Sequence, residues 1–308
     1  MMDERLTAEP LPPRPRFEML DGGGLRVAAP AKINLDLLVG PRRPDGFHTL
    51  DSLVAKVTLY DEIVLRPRPD GRLALICGGA DCGPAADNLA LRAARRLADA
   101  AGEAARGADV VLSKRIPPGA GLGGGSSDAA AVLAGLNEMW AVGLDPRRLA
   151  ELGAELGSDV PLFLGPPACR MTGRGERIEP VAVRPFLAVL HLPPLACPTG
   201  EVYRAFDEGL PGAAPRGPRA DLPLDRESPS RWRDRLRNDL AGPAMAVRPE
   251  LRTVYKALDA AVARPVHVTG SGSGLFVLCD DADEAGDVLR RLPADLPGHM
   301  AVVTLNPW

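Results

Sequence analysis

The sequence predicts a two-lobed α+β fold, on three observations. Strand-like apolar segments come first, helices are interleaved with strands later, and beyond Val181 the pattern starts again. The length of 308 residues also exceeds one typical domain of ~150 residues. The expected organisation is a disordered tail at 1–20, an N-terminal domain at 21–180 and a C-terminal domain at 181–308.

The tail expectation rests on four prolines set among charges in residues 1–20. From Leu25 to Val39 apolar and polar residues alternate, so Ile33, Leu35 and Leu37 share one face of a strand and Lys32, Asn34 and Asp36 the other. Val54–Leu65, Leu73–Ile76 and Val110–Ile116 read as further strands. Asp87 or Asn88 caps a helix that Gly102 stops; Ser126–Trp140 forms a second; Asp145-Pro146 opens a third that ends at Gly157. In the second half a strand is expected at Phe186–Leu192 and a Pro-rich surface loop over 211–230. A helix over Pro249–Ala261, a strand-turn-strand around Val266–Cys279 and a helix near Ala282–Leu292 complete the pattern. The arginine-rich run Arg231–Arg237 reads as a solvated helix face.

Composition narrows the function. The 37 Lys+Arg and 40 Asp+Glu leave a net charge of -3, which argues against a general nucleic-acid binder. Five scattered cysteines without a C-x-x-C pair favour reduced thiols. No apolar stretch approaches the ~20 residues of a membrane helix, and the acidic N-terminus lacks a signal-peptide pattern; the expected location is the cytoplasm. Only four lysines, Lys32, Lys56, Lys114 and Lys256, stand against 33 arginines, so each is a candidate for work that a guanidinium cannot do.

The most informative stretch is Lys114–Ala131, KRIPPGAGLGGGSSDAAA. A strand runs into a loop with glycines at 119, 121, 123, 124 and 125, and a helix begins at Ser126 or Ser127. Glycines let backbone N–H groups approach a ligand closely, and the helix start favours an anion. The physical reading is a phosphate cradle. Gly119-x-Gly121-x-x-Gly124 also matches a dinucleotide fingerprint, but several strands precede it and the acidic residue that follows, Glu138, lies inside the helix. No Gly-Lys-Ser/Thr follows either, so the Walker pattern is absent. A second run, Thr269–Gly274, joins two apolar segments and reads equally as a hairpin turn or a ligand loop. The histidines show no metal-ligand spacing.

Together these pieces resemble the GHMP kinase superfamily, through four segments in order: Pro30–Leu35 (PAKINL) with Arg43–Leu50 (RPDGFHTL), Pro117–Ser127 (PPGAGLGGGSS), Leu156–Pro161 (LGSDVP) and Thr269–Gly274 (TGSGSG). The resemblance spans about residues 25–280. It implies an N-terminal ribosomal-protein-S5-like α/β domain and a C-terminal ferredoxin-like α+β domain. The activity it implies is ATP-dependent phosphorylation of the 2-hydroxyl of 4-diphosphocytidyl-2-C-methyl-D-erythritol, giving ADP and the 2-phosphate, in the non-mevalonate isoprenoid precursor pathway. Magnesium is implied because the charge on a transferred phosphoryl group must be neutralised.

By the same resemblance Asp159 is the base that accepts the substrate hydroxyl proton, and Lys32 pairs with it. Read alone, Lys32 is a surface lysine and Asp159 a helix N-cap. Asn88, Lys114 and the loop Pro117, Pro118, Gly119, Ala120, Gly121, Leu122, Gly123, Gly124, Gly125, Ser126 and Ser127 are implied to bind ATP; Asn88 serves equally as a helix cap. Asn34, Phe47, His48, Thr199, Tyr203, Gly270 and Gly272 are implied to bind the acceptor, with His48 on the cytosine and Phe47 stacking nearby. The family usually has Tyr where Phe47 stands. Asp128 is read either as a complement to the helix dipole or as a magnesium neighbour. A mevalonate- or homoserine-type kinase is the rival within the superfamily, and a non-catalytic nucleotide-binding protein is the rival outside it. The partner is a small molecule, with neither nucleic acid nor membrane expected.

Overall fold

The computed structural model describes residues 11, 14, 16–79, 83–209 and 222–308. The first half of the chain builds a seven-stranded sheet from β1 (Phe17–Met19), β2 (Leu25–Arg42), β3 (His48–Arg68), β4 (Leu73–Gly79), β5 (Gly107–Lys114), β6 (Ala168–Gly173) and β7 (Arg177–Pro180). Its order is β1-β2-β3-β5-β4, with β6 on the first half of β3 and β7 outside β6. Among the strands of the described residues, β4 and β5 alone run parallel. Helices α1 (Leu89–Ala101), α2 (Gly124–Met139), α3 (Pro146–Leu156) and α4 (Val160–Leu164) belong to this half.

The second half supplies β8 (Leu187–Leu192), β9 (His267–Val268), β10 (Leu275–Cys279) and β11 (His299–Thr304), in the antiparallel order β11-β8-β10-β9. Its helices are α5 (Thr199–Asp207), α6 (Ala241–Val247), α7 (Pro249–Ala261) and α8 (Ala282–Arg291).

Three apolar cores hold these layers together. The first lies between the large sheet and α1–α4. The second joins the two sheets, with Ile33 and Leu35 meeting Phe186, Leu190 and Phe276. The third lies between the small sheet and its helices, through Leu251 and Val254 of α7 and Val189 and Val277 of the sheet.

Strand β2 crosses from one core to another. Leu25, Val27 and Ala29 belong to the helix-side core, yet Ala31, Ile33 and Leu35, of the same parity, belong to the core between the sheets. The exchange falls at the register shift between Pro30 and Ala31, where β3 carries two extra residues, Thr58 and Leu59. Lys32 and Asn34 are thereby aimed at the side that carries α2 and α4.

Local chemistry fixes the helix ends. Asn88 Oδ1 accepts from Ala90 N, and Gly102, at a φ of 54°, ends α1. Asp145 accepts from Arg148 N with Pro146 in the first turn of α3, and Asp281 accepts from Glu284 N at the start of α8.

Several expectations change. Residues 17–19 of the expected tail pair with Leu25–Val27, and Arg14 Nη1 donates to Glu62 Oε2 at 3.2 Å; the rest of the tail expectation lies outside the described residues. Most of the expected 211–230 loop lies outside them too, and its described end turns at Pro229–Arg231. Arg231–Arg237 is no solvated helix. Two short 3-10 turns carry it, because Trp232, 1% exposed, and Leu236 fill the core between the sheets. Cys77 is disulfide-bonded, against the expectation of reduced thiols, while Cys169, Cys197 and Cys279 are free and buried. Among the described residues no helix is long and apolar enough to cross a membrane.

Candidate active site

The two glycine loops meet. Ser273 N donates to Gly119 O at 3.2 Å and Gly274 N to Ala120 O at 3.0 Å, so the second run lies against the first. A Cβ on Gly121, at a φ of +71°, would strike the Thr269 carbonyl oxygen, which leaves glycine as the residue that fits there. Strand β2 joins the same junction: Lys32 N donates to Leu122 O, and Asn34 N to Thr269 Oγ1, both at 3.0 Å. Around this junction opens a cleft of about 640 Å3.

The phosphate loop enters the cleft from β5 and is pinned by Asp61. Its Oδ1 accepts from Arg115 N and from Ile116 N, the latter at 2.8 Å. Lys114 Nζ donates to Asp61 Oδ2 and, at 2.8 Å, to Asp128 Oδ2. Burial alone would lower the Lys114 pKa, but Asp128 and Asp61 on either side hold it above the ordinary lysine value. Asp128 is pushed up to about 7 by burial and by the neighbouring Asp61 charge, with Lys114 opposing. The α2 helix then begins at Gly124, and its first N–H groups have no helical acceptor, so they suit an anion.

The opposite wall of the cleft lies on β2 and α4. Lys32 Nζ donates to Asn34 Oδ1 at 2.5 Å, and Asn34 Nδ2 is itself held by Ser52 Oγ at 2.8 Å. Burial lowers the Lys32 pKa, and the Asp159 carboxylate opposes that shift. Asp159 opens α4 without a side-chain capping bond, so its carboxylate is not consumed by the helix and lines the cleft. Lys32 therefore senses the Asp159 charge, while the expected direct ion pair gives way to the Asn34 contact.

From the C-terminal half, Thr199, Tyr203, Gly270 and Ser271 line the cleft, and Thr199 Oγ1 lies 3.0 Å from Ser271 Oγ. Asn34, Asn88, Lys114 and every residue of Pro117–Ser126 line it too. Asn88 caps α1 and faces the cleft, so its two uses coexist.

Four predicted residues stand back from the cleft. Ser127 is buried at 1% exposure. Gly272 faces Leu251 and Cys197. His48 lies behind Tyr203, with ring centroids 5.5 Å apart, Nδ1 2.9 Å from Gly40 O and Nε2 2.9 Å from Asp207 Oδ1. Phe47 is 49% exposed, and the Arg174 guanidinium covers its ring at 3.9 Å.

Sequence reading missed Asp61, Ser52, Asp207 and Arg174. Asp61, within LYDEIV, looks like an outward-facing strand acid, and nothing local marks it as the anchor of a loop fifty residues on.

Two oxygens beside the loop suit a magnesium ion. Asp128 Oδ1 and Ser127 Oγ are buried without a hydrogen-bond partner, and Asp128 lines the cleft. Among the described residues no group of three or more His, Cys, Asp or Glu side chains is placed to cage a metal. An ion shared between one or two protein oxygens and substrate phosphates needs no such cage.

The chain is similar to known kinases. Residues 88–165 match the model for the GHMP kinases N terminal domain and residues 224–298 that for the GHMP kinases C terminal region. A 4-diphosphocytidyl-2-C-methyl-D-erythritol kinase of Xanthobacter autotrophicus is 45% identical over 296 residues, covering 91% of this chain and 98% of its own. One from Thermus thermophilus is 40% identical over 275 residues, covering 86% and 92%. A crystal structure of 4-(cytidine 5'-diphospho)-2C-methyl-D-erythritol kinase superimposes with a TM-score of 0.72 at 38% identity, covering 91% of this chain and 99% of that one. Homoserine kinase from Cytophaga hutchinsonii, at a TM-score of 0.69, 18% identity and coverage of 94% and 97%, shares the fold.

Proposed function

Because the chain belongs to the 4-diphosphocytidyl-2-C-methyl-D-erythritol kinases of the GHMP kinase family, we propose that its cleft moves the γ-phosphoryl group of ATP to the 2-hydroxyl of that cytidyl alcohol, with Asp159 and Lys32 at the reacting atoms. The observation that carries the reading is their placement. Both side chains line the one cleft that also takes the phosphate loop and the second glycine loop.

In this reading Pro117–Ser126 cradles the triphosphate, with Asn88 and Lys114 on the nucleotide. Thr199, Tyr203 and Gly270 face the acceptor. Asp159 accepts the proton of the attacking hydroxyl as its oxygen bonds the γ-phosphorus, and the bond to the β,γ-bridging oxygen breaks to release ADP. Lys32, held by Asn34, presents positive charge where the equatorial oxygens gain negative charge. Asp128 and Ser127 are the residues that would hold magnesium, whose charge offsets that of the β- and γ-phosphates. Asp128→Asn then raises the half-saturating magnesium concentration, and an unchanged value removes Asp128 from that role. Residues 17–180 serve as the ATP-loop domain and 181–308 as the second domain, in a cytoplasmic enzyme.

The test is ADP release with Mg-ATP and, in separate assays, the cytidyl acceptor, mevalonate and homoserine. Stimulation by the cytidyl acceptor alone is expected. Turnover with mevalonate or homoserine instead would discard the acceptor assignment. Lys32→Met and Asp159→Asn each should lower kcat by about 100-fold or more; near-normal rates in both remove the two residues from the chemistry.

A further inference from the structure

Two of the four lysines line the cleft, and a third, Lys56, is buried deeper than either at 1% exposure. It takes no part in the mechanism above. Its Nζ donates to Gly165 O at 2.7 Å and to Phe163 O at 3.3 Å, and its backbone N donates to Pro167 O at 2.8 Å. These acceptors lie at and just beyond the C-terminal end of α4, the five-residue helix that Asp159 opens.

We propose that Lys56 is a positioning residue for the phosphoryl transfer, holding α4 by its C-terminal end so that Asp159 at the other end faces the acceptor hydroxyl. The proposal rests on the reading of Asp159 as the base.

Geometry carries it. Lys32 and Lys56 are direct cross-strand partners in β2 and β3, so their side chains leave the same face of the sheet. One amine meets the charge of Asp159 at the start of α4, and the other meets the carbonyls at its end. A helix C-terminus presents unpaired carbonyls and partial negative charge, which an amine satisfies. The helix is keyed to the phosphate loop as well: a Cβ on Gly123 would approach the Phe163 ring at 2.8 Å. A five-residue helix has too few internal hydrogen bonds to fix its own orientation, so its anchors set the direction in which Asp159 points. In a chain that otherwise uses arginine, this place needs a slim donor that survives without solvent. A guanidinium is planar, wider and always charged.

A lysine that merely stabilises the fold would serve every step alike, whereas one that acts through Asp159 loses its effect when Asp159 cannot act. The experiment is a double-mutant cycle of Lys56→Met and Asp159→Asn, reading kcat and both KM values, with thermal unfolding to establish that each variant is folded. Lys56→Met alone should lower kcat about tenfold and leave the KM for ATP and for the acceptor within about twofold. In the Asp159→Asn background the same change should alter kcat by less than about twofold. Lys56→Gln, which keeps one donor, should recover part of the loss, and it runs the same cycle if the Met variant does not fold. Equal losses in both backgrounds, or no loss from either Lys56 variant, overturn the proposal. An unimpaired Asp159→Asn single variant overturns the base assignment itself, which the cycle reads separately.

Discussion

Asp128 Oδ2 lies 2.8 Å from Lys114 Nζ, with the two side chains only 3% and 6% exposed. Asp61 faces the same ammonium and is fully buried. Two carboxylates around one cation leave an excess of negative charge away from water, and that excess favours a proton on Asp128.

The consequence is a stability that falls with rising pH. The folded-state pKa of Asp128, about 7, lies above its ordinary 3.8, so between those values the folded protein binds a proton that the unfolded chain has lost. Stability in that window falls by at most about 1.4 kcal/mol per pH unit from this group, then levels off above pH 7. Unfolding titrations of wild type and Asp128→Asn between pH 4 and pH 8 read the difference directly. The advantage of wild type over the variant should shrink up to pH 7; a constant difference would show that the pair does not titrate there.

His48 and Asp207 connect the two halves of the protein beside Tyr203. His48 Nε2 on β3 lies 2.9 Å from Asp207 Oδ1 on α5, and the His48 ring stacks on Tyr203, which lines the cleft. Both ring nitrogens face acceptors, Gly40 O on one side and the carboxylate on the other. The ring is thus held in place behind Tyr203. Asp207→Ala should therefore raise the KM of the cytidyl acceptor about fivefold, equivalent to ~1 kcal/mol for a partly exposed charge contact, with the KM for ATP unchanged. A parallel rise in both values would show that the contact supports the cleft as a whole.

The parts of this site that local pattern makes legible are those whose chemistry is local. Five glycines between a strand and a Ser-bearing helix mark the loop that lines the cleft, and Asn88, Asp145 and Gly102 mark helix ends through their own side chains or lack of one. What escapes is set by distant partners. Asp61 earns its role only because β3 brings it under residues 115 and 116. The exchange of faces between Pro30 and Ala31 puts Lys32 on the helix side, and alternation alone reveals that two faces exist without saying which one meets α4. Short elements such as α4 and β1 have no period long enough to read, and β11 is recognised by its pairing with β8.

Trp232 shows the same limit in the arginine-rich run. Charges surround it in sequence, yet it is 1% exposed and packs into the core between the two sheets, with Nε1 donating to Glu227 O at 3.2 Å. Trp232→Ala removes the whole indole from that core and should cost about 3–5 kcal/mol. Denaturant unfolding checks the loss. A loss below about 1 kcal/mol would mean that the segment is solvated after all.

Lys56 has a pH signature of the opposite sign to that of Asp128. Its pKa falls from 10.5 to about 7, through burial first and then the nearby Arg16 charge, with Cys169 opposing. Between pH 7 and pH 10.5 the unfolded chain therefore carries a proton that the folded protein has released. Under that condition stability rises with pH, by at most about 1.4 kcal/mol per pH unit, and levels off above pH 10.5. Below pH 7 the penalty of burying the ammonium is present in full. Lys56→Met has no such group, so wild-type stability measured against that variant should climb from pH 7 to pH 9.5. A flat difference over that range would mean that Lys56 keeps its proton in the folded state, held by the carbonyls of Phe163 and Gly165.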